Sequence, residues 1–325
     1  MNILITVQNK IPSLYYGGTE RVVWCLGKEL HKLGHTITFL APTGSYCDFA
    51  EVIIYDNSKS INEQIPEHIE LVHVFDDGLK EIISKPHLVT IEGNPSFEKT
   101  LNINCVFVSK NHANRYNSES FVYNGLDWDM YNKPDLNSKR DYFHFLGNAA
   151  WNVKNVRGVI NSVRLTDNEK VHVLGGNRFH PNTFTLSRRI KFEGMVNDDQ
   201  KSVLMNKSKG LIFPVLWHEP FGLAITESLF YGCPVFGTPY GSLSELVPQE
   251  FGFLTDNQLE LSKALSNSDS YSKTRCNEYV VEEFNSKKMA FSYLDKYEIV
   301  LNGNNLNQQQ PKLISDNVGL LPWRT

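Results

Sequence analysis

Residues 218–234 read HEPFGLAITESLFYGCP, with Glu219 and Glu227 eight positions apart around a Pro-Phe-Gly turn. Ahead of the turn, LIFPV (211–215) has the apolar, β-forming character of a buried strand, and WHEP carries the chain out of it. Behind it, FGLAITESLFYG reads as a helix stopped by Gly232. The amides of Phe221, Gly222 and Leu223 fall in the first turn of that helix, where N–H groups have no intrahelical acceptor and favour a phosphate. Glu219 lies just ahead of this anion site, and Glu227 about one and a half turns in. A carboxylate accepts two hydrogen bonds at once, which suits a vicinal diol. The combination describes a site for a sugar–diphosphate–nucleoside. Acids favoured at a helix start by the macrodipole account for either glutamate alone, but not for both together with the turn.

The same strand-then-helix rhythm runs outward in both directions. MNILITV precedes a glycine turn and TERVVWCLGKELHKLG, in which Val22, Val23, Leu26, Leu30 and Leu33 fall at helical spacing. HTITFLAP, EVIIYD, ELVHVF, HLVTIEG and NCVFVS follow as short strands bounded by turn residues. VYNGLDWDMYNKPDLNSKRD, rich in Asn, Asp, Gly and Pro, reads as a linker. The rhythm then restarts with YFHFLG, KVHVLGG, IKFEG, KGLIFPV and CPVFGTP. Two doubly wound α/β units with parallel sheets are expected, 1–125 and 141–285, joined by a linker at 126–140 and facing across a cleft. From residue 274 the chain reads as helix, with Tyr279, Val280, Phe284, Phe291 and Leu294 apolar. Residues 302–325 read as a mobile polar tail.

The totals narrow the class. A chain of 325 residues is long enough for two cores, and 41% hydrophobic with 21% charged residues is ordinary for a globular protein. A net charge of −4 without a long basic stripe argues against nucleic acid as a partner. Five scattered cysteines without a C-x-x-C pair do not resemble a disulfide framework and fit a reducing compartment. No run of ~18 apolar residues is present to span a bilayer. The apolar start is too short for a signal peptide and reads as a first strand. A cytoplasmic protein is expected, in loose contact at most with the inner face of the membrane through Lys110, His112 and Arg115 of SKNHANRY.

E-P-F-G-L-x-x-x-E, followed by G-x-P-V and G-S-L-S-E-L-V, resembles the E-x₇-E signature of retaining GT-B glycosyltransferases of family 4 (glycosyl transferases group 1). The resemblance extends from residue 1 to about 300. YYGGTERVV is similar to the N-terminal Gly-Gly loop, VYNGLD to the start of the linker, and FEGMVNDDQKSVL to the loop and helix that hold the base. It implies two Rossmann-like domains, an acceptor domain at 1–125 and a nucleotide-sugar domain at 141–285, with a helix at about 286–301 crossing back to the first. It also implies roles. Glu219 would contact the donor sugar and Glu227 the ribose, with the amides of Phe221, Gly222 and Leu223 on sugar or diphosphate. Met195 would pack near the base, and Gly17 and Gly18 would allow close approach to the diphosphate or the acceptor. Lys154 fits the lysine that neutralises the leaving diphosphate.

Two positions depart from the pattern. Asn148 stands where the family usually has an arginine, leaving Lys154 to act alone or with Arg157. Glu92 in HLVTIEGNP stands where related chains often carry a histidine near the reacting sugar. It is expected to act in catalysis, by binding an acceptor hydroxyl or a cationic group or by steadying oxocarbenium charge. His73 lies at the carboxyl end of another strand and is a further candidate facing the cleft. Asp127-Trp128-Asp129 spells D-x-D but sits in the linker, outside the context in which that motif binds metal. The resemblance therefore implies transfer of a sugar, from a UDP-sugar by preference, to a glycan or lipid-linked acceptor of a bacterial surface polysaccharide. The nucleotide-sugar is a substrate, and neither cofactor nor metal is expected. The alternatives are a non-catalytic binding subunit and a nucleotide-sugar epimerase on the same fold.

Overall fold

The computed structural model describes residues 1–13, 17–79, 81–179, 183–314 and 319–325. Tyr15 and Tyr16 of the YYGG stretch lie outside the described residues. The chain divides into two units: Met1–Asp127 with Phe284–Asn317, and Trp128–Glu283 with Val318–Thr325.

Unit 1 is built on six parallel strands, β1 (Asn2–Thr6), β2 (Thr36–Ala41), β3 (Glu51–Ile54), β4 (Leu71–Phe75), β5 (His87–Ile91) and β6 (Cys105–Phe107), in the order β3-β2-β1-β4-β5-β6. Their unbroken apolar runs fit a sheet covered on both faces, and Ile3, Leu4, Ile5, Val72 and Val74 are fully buried. Helix α1 (Gly18–Lys32) buries Val22, Val23, Leu26 and Leu30, the stripe its spacing predicts. Helix α2 (Lys110–Arg115) starts at Ser109, whose hydroxyl accepts from the His112 amide at 3.2 Å.

Unit 2 repeats the plan. Its strands are β7 (Tyr142–Leu146), β8 (Val171–Leu174), β9 (Ile190–Gly194), β10 (Ser208–Phe213), β11 (Val235–Gly237) and β12 (Gly252–Leu254), parallel in the order β12-β11-β10-β7-β8-β9. The helices are α3 (Val156–Leu165), α4 (Asp198–Met205), α5 (Leu223–Phe230), α6 (Leu243–Leu246), α7 (Gln258–Leu265) and α8 (Lys273–Glu283). In each sheet the winding reverses between the first and fourth strands, β1 and β4 or β7 and β10, and ligands of open α/β sheets bind beyond the carboxyl ends at that point. Buried His144 on β7 fixes α5 to the sheet, with Nδ1 2.6 Å from Ser208 Oγ and Nε2 2.8 Å from Ser228 Oγ.

The helical stretch read from residue 274 is two helices. Asn285 interrupts it, and its side chain caps α9 (Ser286–Leu301) by accepting from the Lys288 amide at 2.9 Å. With α9 the chain returns to unit 1, where the helix packs on α1 and β5. Gly125 of Asn-Gly-Leu-Asp permits this crossing: a Cβ there would lie 2.1 Å from the Asn285 carbonyl oxygen. The linker read at 126–140 does not stay apart from the units. Trp128 stacks on Phe230 at 4.6 Å in unit 2, while Asp127 is buried in unit 1 with Lys28 Nζ at 2.9 Å. That ion pair occupies the first acid of D-x-D, and among the described residues no group of acids, histidines and cysteines could hold a metal.

The expectation of a mobile tail is corrected. Asn307 is buried and donates to the carbonyls of Ile103 at 2.8 Å and Cys105 at 3.0 Å, and Leu313 joins the core of unit 1. The Leu321 amide donates to Leu216 at 2.8 Å in unit 2, and Arg324 pairs with Asp256. Low complexity misled because asparagine side chains satisfy backbone groups that would otherwise need water. Residues 315–318 of this stretch lie outside the described residues. All five cysteines are free. Among the described residues no helix is long and apolar enough to cross a membrane.

Candidate active site

Lys154 and Glu219 meet where the sheet of unit 2 reverses. After β7 the chain turns at Gly147–Trp151 into a single 3-10 turn, Asn152–Lys154, and Asn155 then takes a left-handed conformation with φ 51°. The Asn155 side chain accepts from the Gly158 amide at 2.9 Å and donates to the Pro214 carbonyl at 3.0 Å, tying the start of α3 to the end of β10. Lys154 thereby turns inward, and its Nζ donates to Glu219 Oε2 at 2.7 Å. Both side chains are nearly withdrawn from solvent, 10% and 8% exposed. Trp217 Nε1 donates to the same carboxylate oxygen at 2.7 Å, and the Lys154 ammonium lies 4.9 Å from the Trp217 ring. Trp217 thus meets both members of the pair, its N–H on the carboxylate and its ring near the ammonium, in a desolvated setting where the attraction between charges is strong.

A second buried pair lies on α5. Glu227 Oε1 accepts from Lys201 Nζ at 2.5 Å and from the Tyr131 hydroxyl at 2.9 Å, and Lys201 also reaches Asp198 at 3.1 Å. Lys201 comes from α4, whose start is a complete capping box between Asn197 and Gln200. Gly222 caps α5 with φ 88°, so the amides of Gly222 and Leu223 open the helix beside Glu219, while Phe221 is buried. The Glu219 backbone is clasped by the loop after β11: Ser242 N donates to the Glu219 carbonyl at 2.9 Å and Ser242 Oγ to the Phe221 carbonyl at 2.6 Å. Gly241 has φ 65°, and a Cβ there would lie 2.3 Å from both N and O of Glu219. Gly241→Ala is therefore expected to cost about 2–3 kcal/mol of stability and to displace Glu219. Chemical denaturation reads this, and an unchanged midpoint would refute it.

The other residues expected in unit 2 are scattered around these pairs. Asn148 folds back on its own loop, Oδ1 accepting from the Ala150 amide at 3.0 Å, and puts no cation there. Arg157 is exposed on α3 and donates to the Phe184 carbonyl at 3.0 Å. Met195 is exposed in the turn after β9. Lys201, Trp217 and Tyr131 were not singled out by sequence: Lys201 and Tyr131 meet Glu227 from other segments, and Trp217 donates to Glu219 two positions on.

In unit 1, Gly17 and Gly18 lie at the start of α1. Glu92 follows β5, where its amide donates to Asp77 Oδ1 at 2.8 Å and Asn124 Nδ2 donates to its Oε2 at 3.0 Å. Its Oε1 is buried without a partner among the described residues. Burial pushes the Glu92 carboxyl up to about 8, with Asp77 and Glu20 adding to the rise and the Asn124 hydrogen bond opposing it. A carboxyl raised this far is mainly protonated at pH 7 and can then donate a hydrogen bond. His73 has a different place: fully buried, with Nδ1 2.8 Å from the Tyr297 hydroxyl and Nε2 2.7 Å from Thr90 Oγ1. Both ring nitrogens are engaged within the core, which leaves neither for a ligand.

The raised Glu92 value has a stability consequence. In the unfolded chain the carboxyl ionises near 4.5, and in the folded one near 8. The contribution is fully present below the lower value and is lost as pH rises through the upper one. We expect stability to fall by about 2–3 kcal/mol between pH 6 and 8 on this account, and Glu92→Gln to flatten the slope. Parallel slopes for the two proteins in urea titrations would refute it.

Residues 127–275 match the family model described as glycosyl transferases group 1. Over that stretch the chain is similar to group 1 glycosyltransferases. The matched stretch holds both buried pairs, Lys154–Glu219 and Lys201–Glu227. None of the curated proteins matches the chain by sequence. Among solved structures, the chain is similar to AviGT4, a glycosyltransferase involved in avilamycin A biosynthesis, at 18% identity and a TM-score of 0.77 over 93% of this chain and 98% of that one. It is similar to a sucrose-phosphate synthase from Thermosynechococcus elongatus at 15% identity and a TM-score of 0.73, over 93% and 100%. A third likeness is to HepE of Anabaena in complex with UDP and glucose, at 15% identity and a TM-score of 0.65 over 92% and 99%. At these identities the likeness establishes the fold, GT-B with two Rossmann-like domains. The residues that match the family model, 127–275, make up most of unit 2.

Proposed function

We propose that the protein is a retaining, metal-independent glycosyltransferase of the family 4 type. It moves a sugar from a nucleotide-sugar, UDP-linked by preference, to a glycan or lipid-linked acceptor in the synthesis of a bacterial surface polysaccharide, on the cytoplasmic side. The observation that carries this reading is the buried Lys154–Glu219 pair, seated just ahead of the α5 amides. A diphosphate arriving at those amides competes for the Lys154 ammonium. Once Lys154 turns to the diphosphate, Glu219 is released to accept from sugar hydroxyls. Glu227 on the same helix supplies a carboxylate for the ribose diol, with Lys201 and Tyr131 holding it in place. In the transfer step the bond from the anomeric carbon to the phosphate oxygen breaks and the acceptor oxygen bonds to that carbon on the same face. The acceptor proton passes to the departing phosphate oxygen. Lys154 and the amides of Phe221, Gly222 and Leu223 meet the charge that develops, which is where preorganised donors have their largest effect.

The base is supported by neighbours only: HepE is described with UDP-glucose, and starch synthase IV from Arabidopsis thaliana with ADP and acarbose. Thermal-shift titration with UDP-, GDP- and ADP-sugars tests it, since a ligand bound by the folded state alone stabilises as ln(1 + [L]/Kd). A shift with a UDP-sugar, followed by its turnover and the loss of turnover in Glu219→Ala, is the expected result. No shift with any of the three, or full turnover in Glu219→Ala, overturns the reading. Asn148 favours a second reading, a non-catalytic binding subunit, because it supplies no cation to a leaving diphosphate. Donor binding without hydrolysis or transfer would select it. An epimerase would instead convert the donor with no acceptor present.

A further inference from the structure

The connection from β8 to β9 is bound along α3. Near the start of α3, Arg157 donates to the Phe184 carbonyl at 3.0 Å. At its end, Arg189 donates to the Arg164 carbonyl at 3.0 Å and the Thr166 carbonyl at 2.8 Å. Residues 184–189 therefore run beside α3 from its first turn to its last. This arrangement presents large apolar side chains outward: Leu186 is 81% exposed, Leu165 50% and Phe184 49%, with Phe179 of the same connection at 85%. Single exposed apolar residues are ordinary, but a group of them on adjoining segments marks a contact surface.

Charge gives that surface a sign. Residues 156–191 hold seven Lys and Arg against two Asp and Glu, a balance of +5 (7 − 2) within a chain of net −4. One of the acids, Glu169, is held by Lys209 at 2.8 Å. Lys191 pairs with Glu193 at 2.9 Å, and Arg178 and Arg189 donate to carbonyls, which leaves their charge in place. Arg164, Lys170 and Arg188 are exposed and make no ion pair among the described residues. Cations interleaved with exposed apolar side chains suit an anionic lipid surface, where the apolar groups enter the headgroup layer and the cations meet phosphate. The surface expected from sequence is weaker. His112 on α2 is buried, and Arg115 donates to Asn94 at 2.7 Å.

We propose that this face of unit 2, Leu165, Phe184 and Leu186 with Arg164, Lys170 and Arg188, docks on an anionic phospholipid bilayer. The proposal does not rest on the transferase reading, because vesicle binding is measured without turnover. Sedimentation with vesicles of phosphatidylcholine, alone or mixed with phosphatidylglycerol, tests it. The protein is expected to sediment with the mixed vesicles and to be released by salt. Arg164→Gln with Arg188→Gln should weaken binding roughly 30-fold, about fivefold for each cation. Phe184→Ser with Leu186→Ser should remove the binding that survives salt. Thermal melts of both variants check that they fold. Equal sedimentation with both vesicles, none with either, or folded variants that bind like the parent would overturn the proposal. So would a dimer seen by light scattering and abolished by Phe184→Ser with Leu186→Ser, which would make the face a contact between copies. Binding of polyphosphate as tight as that of vesicles, unaffected by the same pair of changes, would equally overturn it.

Discussion

Replacing Lys154 by methionine is expected to reduce turnover by about 10²–10³ and to destabilise the fold by ~3–5 kcal/mol. The two effects have one origin. Lys154 and Glu219 are 2.7 Å apart and almost without solvent, so removing the ammonium leaves a buried carboxylate whose one remaining side-chain donor among the described residues is the Trp217 N–H. An uncompensated buried charge costs far more than the intact pair contributes. The two consequences can be separated. Lys154→Met combined with Glu219→Leu removes both charges and should recover most of the stability in urea unfolding, while turnover stays absent. A role confined to packing would let activity return with stability. Turnover within ~3-fold of the parent in folded Lys154→Met would remove Lys154 from the chemistry.

Glu227→Ala is expected to raise the dissociation constant for UDP by about 10–100-fold, the loss of one or two hydrogen bonds to a charged group. It also leaves the Lys201 ammonium, 8% exposed, with Asp198 at 3.1 Å as its one carboxylate among the described residues, so a stability loss of ~3 kcal/mol should accompany it. Tyr131→Phe is the control. It removes a 2.9 Å hydrogen bond to Glu227 but leaves the carboxylate in place, so UDP affinity should change by less than ~3-fold. Calorimetric titration distinguishes the outcomes. Unchanged UDP affinity in folded Glu227→Ala would mean that the second acid of the E-x₇-E pattern serves only the Lys201 pair.

The legible parts of the site were those with a local cause. Glu219, the Phe-Gly turn and Glu227 share one strand-turn-helix, so their spacing alone puts two acids about the start of a helix. Lys154 was legible through resemblance, and the capping Asn155 beside it is also a local feature. Lys201 was not legible. A lysine in NDDQKSVL looks like any solvated helix charge until Glu227, 26 positions on, is seen beside it. His73 failed in the opposite direction. A histidine near a strand end suggests a ligand group, yet its partner is Tyr297, 224 positions away on the helix that returns to unit 1. The tail failed because composition reports average polarity, whereas docking depends on single side chains such as Asn307 meeting particular carbonyls.

The sequence by itself determined the alternation of buried strands and amphipathic helices, hence two parallel doubly wound sheets, and it determined which acids flank the start of α5. Those properties follow from periodicity and turn chemistry within a few residues. Only the tertiary structure decided which charges are buried and with whom they pair. Lys154 and Glu219 are 65 positions apart and meet because β7 and β10 are neighbours in the sheet, with their carboxyl ends on the same side. An ammonium in water and one held at 2.7 Å from a desolvated carboxylate are the same residue type in sequence. What separates them is the dielectric and the partner that the fold places around each.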